Sequence, residues 1–275
     1  MEFIWGVFRK FRHQLLLIYI YMLLTEGLLL LQPYILGKTI DGLIHDSYIW
    51  LGALVFIYAG SNLFLYKRMV YDTKVYTKIY NDIVLNFIEN TNVDTSAKIA
   101  RTDLAHQVVD MLEFYVHYYI SVVVTIIGSL VFILSGNTWV GIFVLTCSFP
   151  IAIIVKHFYK KIEQSTMVGN NHYEKKVDVM HGTNEEIHNF FNRRRRLVIY
   201  GSTLQGKNWL SVNSVKYTFL VLAIVLFIKT SPNMTLGEVL AMVTYISNFL
   251  ISLLSIPVAV EMYTRIMDVL KRLKS

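Results

Sequence analysis

The chain has 275 residues, of which 55% are hydrophobic and 16% are charged, and its formal net charge is +7. Its mean hydropathy of +0.47 is too high for an ordinary soluble domain. The apolar residues are grouped in blocks of about 17 or more, the length that a helix needs to cross a bilayer core of roughly 30 Å. One cysteine, Cys147, excludes a disulfide framework within the chain. The composition therefore predicts an all-α membrane protein.

Six apolar blocks predict six transmembrane helices. The first block is about 22 residues long, too long for the apolar core of a cleaved signal peptide, and we interpret it as a retained span. The predicted spans are 15–36, 48–65, 116–134, 139–155, 210–228 and 236–258.

The basic residues predict the orientation of these spans. Of the 26 Lys and Arg residues, 23 fall on one side of the predicted bilayer, whereas Lys38 and Lys229 lie on the other side and Lys216 lies within a span. The positive-inside rule then places both termini in the cytoplasm. Basic residues next to the membrane also explain the net charge without a nucleic-acid partner.

The first cytoplasmic segment, 66–115, is predicted to be a long helical hairpin. Neither Gly nor Pro occurs from 61 to 127, and a polar cluster at 90–96 is the natural turn. The second span should therefore continue as a helix for about 24 residues, some 36 Å. One apolar face of this helix is predicted from the spacing of Val75, Ile79, Ile83 and Phe87.

The second cytoplasmic segment, 156–209, repeats this plan. Gly182 can end the descending helix, and Thr183 with Glu186 can cap the next one. A similar capping box, Thr235 with Glu238, predicts the start of the sixth span.

Short motifs accompany this arrangement. Pro33, Gly37 and Asp41 form a Pro-x-x-x-Gly-x-x-x-Asp pattern at the end of the first span, and Thr235 with Gly237 forms a Thr-x-Gly pattern at the start of the sixth. An Arg-Ile pair follows the sixth span at 265–266. Together with six spans and long extensions after the second and fourth, these motifs resemble the transmembrane domain of ABC exporters.

The resemblance implies a single six-helix domain over 1–275 that works as a homodimer or heterodimer, with spans 4 and 5 swapped to the partner. It also implies that the two hairpin turns dock an ATPase. Since the sequence to Ser275 holds no nucleotide-binding domain, we expect ATP and Mg²⁺ on a separate subunit, no cofactor on this chain, and residence in a bacterial inner (cytoplasmic) membrane. The predicted coupling turns comprise Asn92, Asp94, Thr95, Gly182, Thr183 and Glu186.

One segment imitates a nucleotide-binding loop. Residues 201–208 match the P-loop pattern except that Asn208 replaces the Ser or Thr that binds magnesium. No apolar strand ending in Asp follows to complete a metal site. We therefore predict a helix entering the fifth span, and a chain that is not an enzyme.

Polar residues within the spans are candidates for a transport or proton site. Glu26 lies midway along the first span, where a carboxylate costs about 2.5 kcal/mol or more unless it is paired, protonated or facing a cavity. A neutral Glu26 bonded to a neighbouring helix is the alternative. For the others, interhelical hydrogen bonds or interfacial positions are the alternative to ligand binding. These are Gln32, Asn62, Asn213, Lys216 and Asn248.

Two polar clusters lie in the second cytoplasmic segment. The run Arg193, Arg194, Arg195 and Arg196 is either a solvated or partner-facing surface or a site for an anionic substrate. His181, Glu185 and His188 would share one helical face, and Glu185 with His188 matches half of a carboxylate-bridged metal motif. The second half is absent, so no metal is expected.

These observations predict a transporter domain with alternating access, energised by a separate ATPase. One alternative is proton-coupled transport through Glu26. Another is a membrane scaffold or regulatory half-transporter that moves no substrate.

Overall fold

The computed structural model describes the backbone of residues 2–90, 102, 106 and 109–274. All regular elements in these ranges are helical. A π-helix, Met111–Tyr115, immediately precedes α3. The α-helices are α1 (Glu2–Ile44), α2 (Ile49–Asn90), α3 (Val116–Gly136), α4 (Thr138–Thr146), α5 (Ser148–Glu174), α6 (Lys176–Met180), α7 (Asn184–Thr230) and α8 (Leu236–Lys274).

The prediction of six spans is confirmed. Within the described ranges, six helical segments are long and apolar enough to cross a bilayer, and each overlaps one of the six predicted blocks. The fourth combines α4 and α5, which are separated at Cys147. Pro150 has no N–H to donate to Thr146, so the regular bonding pattern is interrupted at that turn. The chain is an integral membrane protein.

Several helices are much longer than a bilayer requires. α2 has 42 residues and α7 has 47, which correspond to about 63 Å and 71 Å at 1.5 Å per residue. The predicted continuation of the second span as a helix is confirmed as far as Asn90.

The chain divides into two compact units, one containing 1–138 with 228–275 and the other containing 139–227. In the first unit, the end of α1 is closed by a Schellman motif. Ser47 N donates to Gly42 O over 2.8 Å and Asp46 N to Leu43 O over 3.3 Å. Asp46 has φ 56°, a left-handed conformation that Asp tolerates better than most residues. α2 therefore returns antiparallel to α1.

An apolar seam joins α1 to α2. Phe11, Leu15 and Ile18 are buried with the predicted stripe of α2, of which Val75 and Ile79 are 4% and 0% exposed. Ile83 belongs to the same cluster, whereas the side chain of Phe87 lies outside the described part. Burying such side chains stabilises a helix pair by roughly 1.5–3 kcal/mol each. The predicted apolar face is confirmed for Val75, Ile79 and Ile83.

α1 crosses α8 at two glycines. A Cβ atom added to Gly37 would collide with the backbone of Gly237, and the converse also holds. At the same crossing Asp41 accepts hydrogen bonds from Gly237 N over 2.8 Å and Thr235 Oγ1 over 2.6 Å. This carboxylate satisfies a backbone N–H that the first turn of α8 leaves unpaired and opposes the positive end of the helix dipole.

α3 joins the same bundle along α1 and α8. The Leu30 side chain fills the space left by Gly128 on α3. Tyr245 of α8 donates its hydroxyl to Leu30 O over 2.7 Å, and its ring stacks on Phe132 at a centroid separation of 4.5 Å. These contacts fix the register among the three helices.

The second unit contains most of the fourth and fifth spans and their extensions. Phe143 stacks on Phe219 at 5.2 Å, which pairs α4 with α7. α5 ends at Glu174, and α6 continues to Met180 after a break at Lys175. A turn at 181–183 then leads into α7.

We predict that Gly237→Ala separates α1 from α8. The added methyl group has no room at the crossing, and overpacking of this kind costs about 1–3 kcal/mol. The thermal unfolding midpoint in detergent should fall by several degrees. Gly52→Ala is the matched control, because nothing lies within 4 Å of its Cβ position. Equal midpoints for the two variants would contradict the close crossing.

Candidate functional site

The turn of the second hairpin is closed by a reciprocal capping box. Thr183 N donates to Glu186 Oε2 over 2.7 Å, and Glu186 N approaches Thr183 Oγ1 at 3.4 Å. The Thr183 hydroxyl also donates to Glu186 Oε2 over 3.0 Å. The predicted capping interaction is confirmed, and it gives α7 a defined start at Asn184.

Gly182 is enclosed by this turn. Its N–H donates to Val179 O over 3.0 Å, and a Cβ atom there would meet the Glu186 carboxylate. Beside the turn lies an open groove that includes His172, stacked on Phe190 at 4.2 Å. The turn is therefore a polar surface, and the rings of His172 and Phe190 line the groove beside it.

The turn of the first hairpin lies outside the described residues. The predicted coupling residues Asn92, Asp94 and Thr95 all fall there, so their role stays a prediction.

Glu26 and Asn248 are half-buried, and neither forms a hydrogen bond or ion pair with the described residues. The crossing of Gly37 with Gly237 and the bond from Tyr245 to Leu30 set the antiparallel register of α1 and α8. Glu26 lies eleven residues before Gly37, and Asn248 lies eleven residues after Gly237. Because the two helices are antiparallel, Glu26 and Asn248 lie at the same depth.

The other predicted span residues have local partners. Gln32 Nε2 donates to Tyr58 Oη over 2.8 Å, an interhelical bond between α1 and α2. Asn62 and Asn213 each donate to a carbonyl one turn earlier in their own helix, over 2.9 Å in both cases. Lys216 lies over the ring of its neighbour Tyr217 at 4.2 Å. None of these contacts brings the four residues together.

The arginine run lies on α7, and its members differ in surroundings. Arg194 is half-buried, with its guanidinium 4.1 Å from the centroid of the Tyr173 ring. Arg193, Arg195 and Arg196 are exposed. Arg194 thus packs between the arms of the second hairpin, and the other three present charge outward.

The P-loop-like segment 201–208 lies in the middle of α7. Its backbone N–H groups are therefore directed into the helical bonding pattern and cannot cradle a phosphate. The helix prediction is confirmed.

The structure also shows a buried charged cluster that the sequence reasoning missed. Arg68 Nη1 lies 3.1 Å from each ring nitrogen of His117, and Arg68 Nε lies 3.4 Å from Asp72 Oδ2. The Arg68 and Asp72 side chains are only 12% and 15% exposed. Two pairs at helical spacing, Arg68 with Asp72 and Glu113 with His117, were visible in the sequence, but nothing there showed that they meet.

Arg68 and Asp72 lie within Ile49–Leu85, the second of the six segments that are long and apolar enough to cross a bilayer.

The comparison with known families agrees with this architecture. Residues 5–256, most of the chain, match the family described as ABC transporter transmembrane region. The chain belongs to this family. No curated protein sequence matches the chain.

In this ABC transporter transmembrane region, the motifs at the ends of the first and sixth spans come together. Gly37 and Gly237 form the close crossing, and Asp41 caps the helix that begins after Thr235. In the sequence, both motifs were evidence of a resemblance to the family. The structure adds that the motif around Gly37 and the motif around Gly237 contact each other.

We predict that Thr183→Ala loosens the second turn. Losing an N-cap side chain costs about 1 kcal/mol, which corresponds to about fivefold faster hydrogen exchange in the first turn of α7. Thr166→Ala is the control, because the Thr166 hydroxyl donates to Ile162 O within α5 and not to the turn. If both variants exchange like the wild type at 184–187, the capping box does not hold the turn.

Proposed function

We propose that this chain is a permease that pairs with a second transmembrane domain and is energised by an ATPase on a separate polypeptide. Family membership supports the first part, because the matched region is the membrane part of ABC transporters. The second hairpin supports the second part, since a capped turn lies between α6 and the 47-residue α7.

Long helices can carry a movement from the turn to the membrane. α7 runs without interruption from the capping box at Thr183 to Thr230, about 71 Å. A force applied to the turn therefore reaches the fifth span through one continuous helix. We place the hairpins in the cytoplasm because 23 of the 26 Lys and Arg residues lie on their side of the spans.

Pairing with a second bundle would place the substrate path between the two. The unit formed by 139–227 contains most of spans 4 and 5, the pair that a helix swap would exchange. It carries large exposed apolar side chains such as Phe149 and Ile153, which need lipid or a partner around them. Rocking of paired bundles then gives alternating access.

The polar residues inside the spans are the best candidates for contact with substrate. Glu26 and Asn248 share one depth, and the buried hydroxyl of Ser129 on α3 has no hydrogen-bond partner among the described residues. Unpaired polar groups at membrane depth are costly, and they mark transport pathways more often than lipid-facing surfaces. Proton-coupled transport through Glu26 is the alternative, and it is favoured because Glu26 forms no hydrogen bond or ion pair with the described residues.

We predict that Glu185→Lys, at the exposed start of α7, weakens binding of the ATPase subunit at least tenfold. If the docking surface of the ATPase is complementary to the wild-type carboxylate, the positive charge of the new lysine is repelled by that surface. The measurement is the Kd between the chain in nanodiscs and an ATPase subunit co-purified from native membranes. Glu163→Lys is the matched control, since Glu163 is also exposed but lies within α5 and not at the turn.

Equal binding by wild type and Glu185→Lys would show that the turn is not part of the docking surface. If wild type co-purifies no ATPase, the separate subunit fails as the energy source. Transport in proteoliposomes that requires only a pH gradient, and that Glu26→Gln abolishes, would establish the proton-coupled alternative.

A further inference from the structure

An open groove lies between the first turns of α1 and the far end of α2. Its volume of about 450 Å³ is within the range of sites that bind small molecules. The ring of Phe11, only 4% exposed, and the Leu85 side chain form its apolar lining. Its polar lining consists of Lys10, His13, Gln14, Lys78, Asn81 and Asp82.

Two ammonium groups converge at this groove. Lys10 Nζ lies 5.7 Å and Lys78 Nζ 6.0 Å from the centroid of the Phe11 ring. The face of an aromatic ring attracts cations, so Phe11 stabilises two like charges near each other. Among the residues that line the groove, Asp82 is the one carboxylate, and it pairs with Lys10. The lining therefore has a net positive charge, which favours an anionic ligand.

The register of α1 and α2 places the groove at the edge of the first span. Gln32 of α1 bonds to Tyr58 of α2 across the two antiparallel helices. Arg12 lies twenty residues before Gln32, and Lys78 lies twenty residues after Tyr58, so Arg12 and Lys78 share one depth. That depth is just before the predicted span 15–36. At such an edge, a cationic groove meets the headgroups of the adjacent lipid leaflet.

An apolar stripe continues from the groove along α1 toward the interior of the membrane. Leu17, Tyr21 and Leu24 follow Lys10 by seven, eleven and fourteen residues, the spacing of one helical face. Leu24 is 43% exposed, and the Tyr21 ring lies 6.3 Å from the ring of Phe64 on α2. The stripe therefore offers apolar surface beside both helices.

An amphipathic anion matches the groove and the stripe together. A phospholipid has a phosphate in its headgroup and acyl chains that extend into the bilayer, whereas a soluble phosphate would leave the stripe unused. Lys74, which is exposed and lies one helical turn nearer the membrane than Lys78, adds a positive charge where the groove meets the stripe. Basic pockets between membrane helices commonly bind anionic lipid headgroups.

We propose that this groove binds one anionic glycerophospholipid from the adjacent leaflet. Its phosphate lies between the ammonium groups of Lys10 and Lys78, and an acyl chain follows Leu17, Tyr21 and Leu24. The bound lipid joins the beginning of α1 to the extension of α2 and stabilises their contact. This site requires neither an ATPase nor a second transmembrane domain.

The test is the thermal unfolding midpoint of the full chain in a non-ionic detergent with increasing dioleoylphosphatidylglycerol. A ligand that binds only the folded state raises the midpoint with its concentration, which gives an apparent Kd. We expect a Kd about tenfold weaker for dioleoylphosphatidylcholine, whose headgroup has no net charge. Glycerol 3-phosphate, which has the phosphate without acyl chains, should not raise the midpoint.

Lys78→Gln should weaken the binding of phosphatidylglycerol about fivefold, because one of the two ammonium groups is lost. Its Kd for phosphatidylcholine should not change, and Lys78→Arg should bind phosphatidylglycerol like wild type. Lys156→Gln is the matched control, since Lys156 is also exposed and directly follows the predicted fourth span but belongs to the other compact unit. It should keep the wild-type Kd.

No rise with phosphatidylglycerol, or an equal rise with phosphatidylcholine, would overturn the proposal. Equal weakening by Lys78→Gln and Lys156→Gln would do so as well, since it would show an effect of overall charge and not of this groove. A rise with glycerol 3-phosphate as large as that with the lipid would show that a soluble phosphate is the ligand instead. If Lys78→Gln does not fold, Lys74→Gln replaces it, and an unchanged Kd in that variant would equally refute the lipid site.

Discussion

The contact between Asp41 and the start of α8 is the constraint on which the bundle depends. The carboxylate accepts from Gly237 N and Thr235 Oγ1, and it can do so only because Gly37 and Gly237 allow the two backbones to touch. A side chain at either glycine would separate the helices and leave both a carboxylate and a helix terminus without their partners.

This crossing also sets the register deeper in the membrane. From it, Tyr245 reaches Leu30 O, and Glu26 comes to the depth of Asn248. Packing among membrane helices relies on small residues and a few polar contacts, since lipid provides no hydrophobic force between them. The shared depth of Glu26 and Asn248 therefore follows from the glycine crossing.

Two further kinds of interaction hold the long helices of the first unit. The seam around Leu15 and Ile79 is apolar, whereas the cluster around Arg68 and Asp72 is charged and only partly paired. α2 thus combines an apolar contact with α1 and a charged contact with His117 of α3. The second hairpin is instead closed by the capping box at Thr183.

The sequence by itself determined the features that depend on local composition. Apolar block length predicted the six spans, four-residue spacing predicted the stripe of Val75 and Ile79, and Thr183 with Glu186 predicted a cap, because each follows from neighbours along one helix. Only the tertiary structure decided which helices meet. It joined Asp41 to Gly237, gave Gln32 a partner in Tyr58, and brought Arg68 to His117. Residues so far apart in the chain are brought together by helix packing, whose register no local pattern specifies.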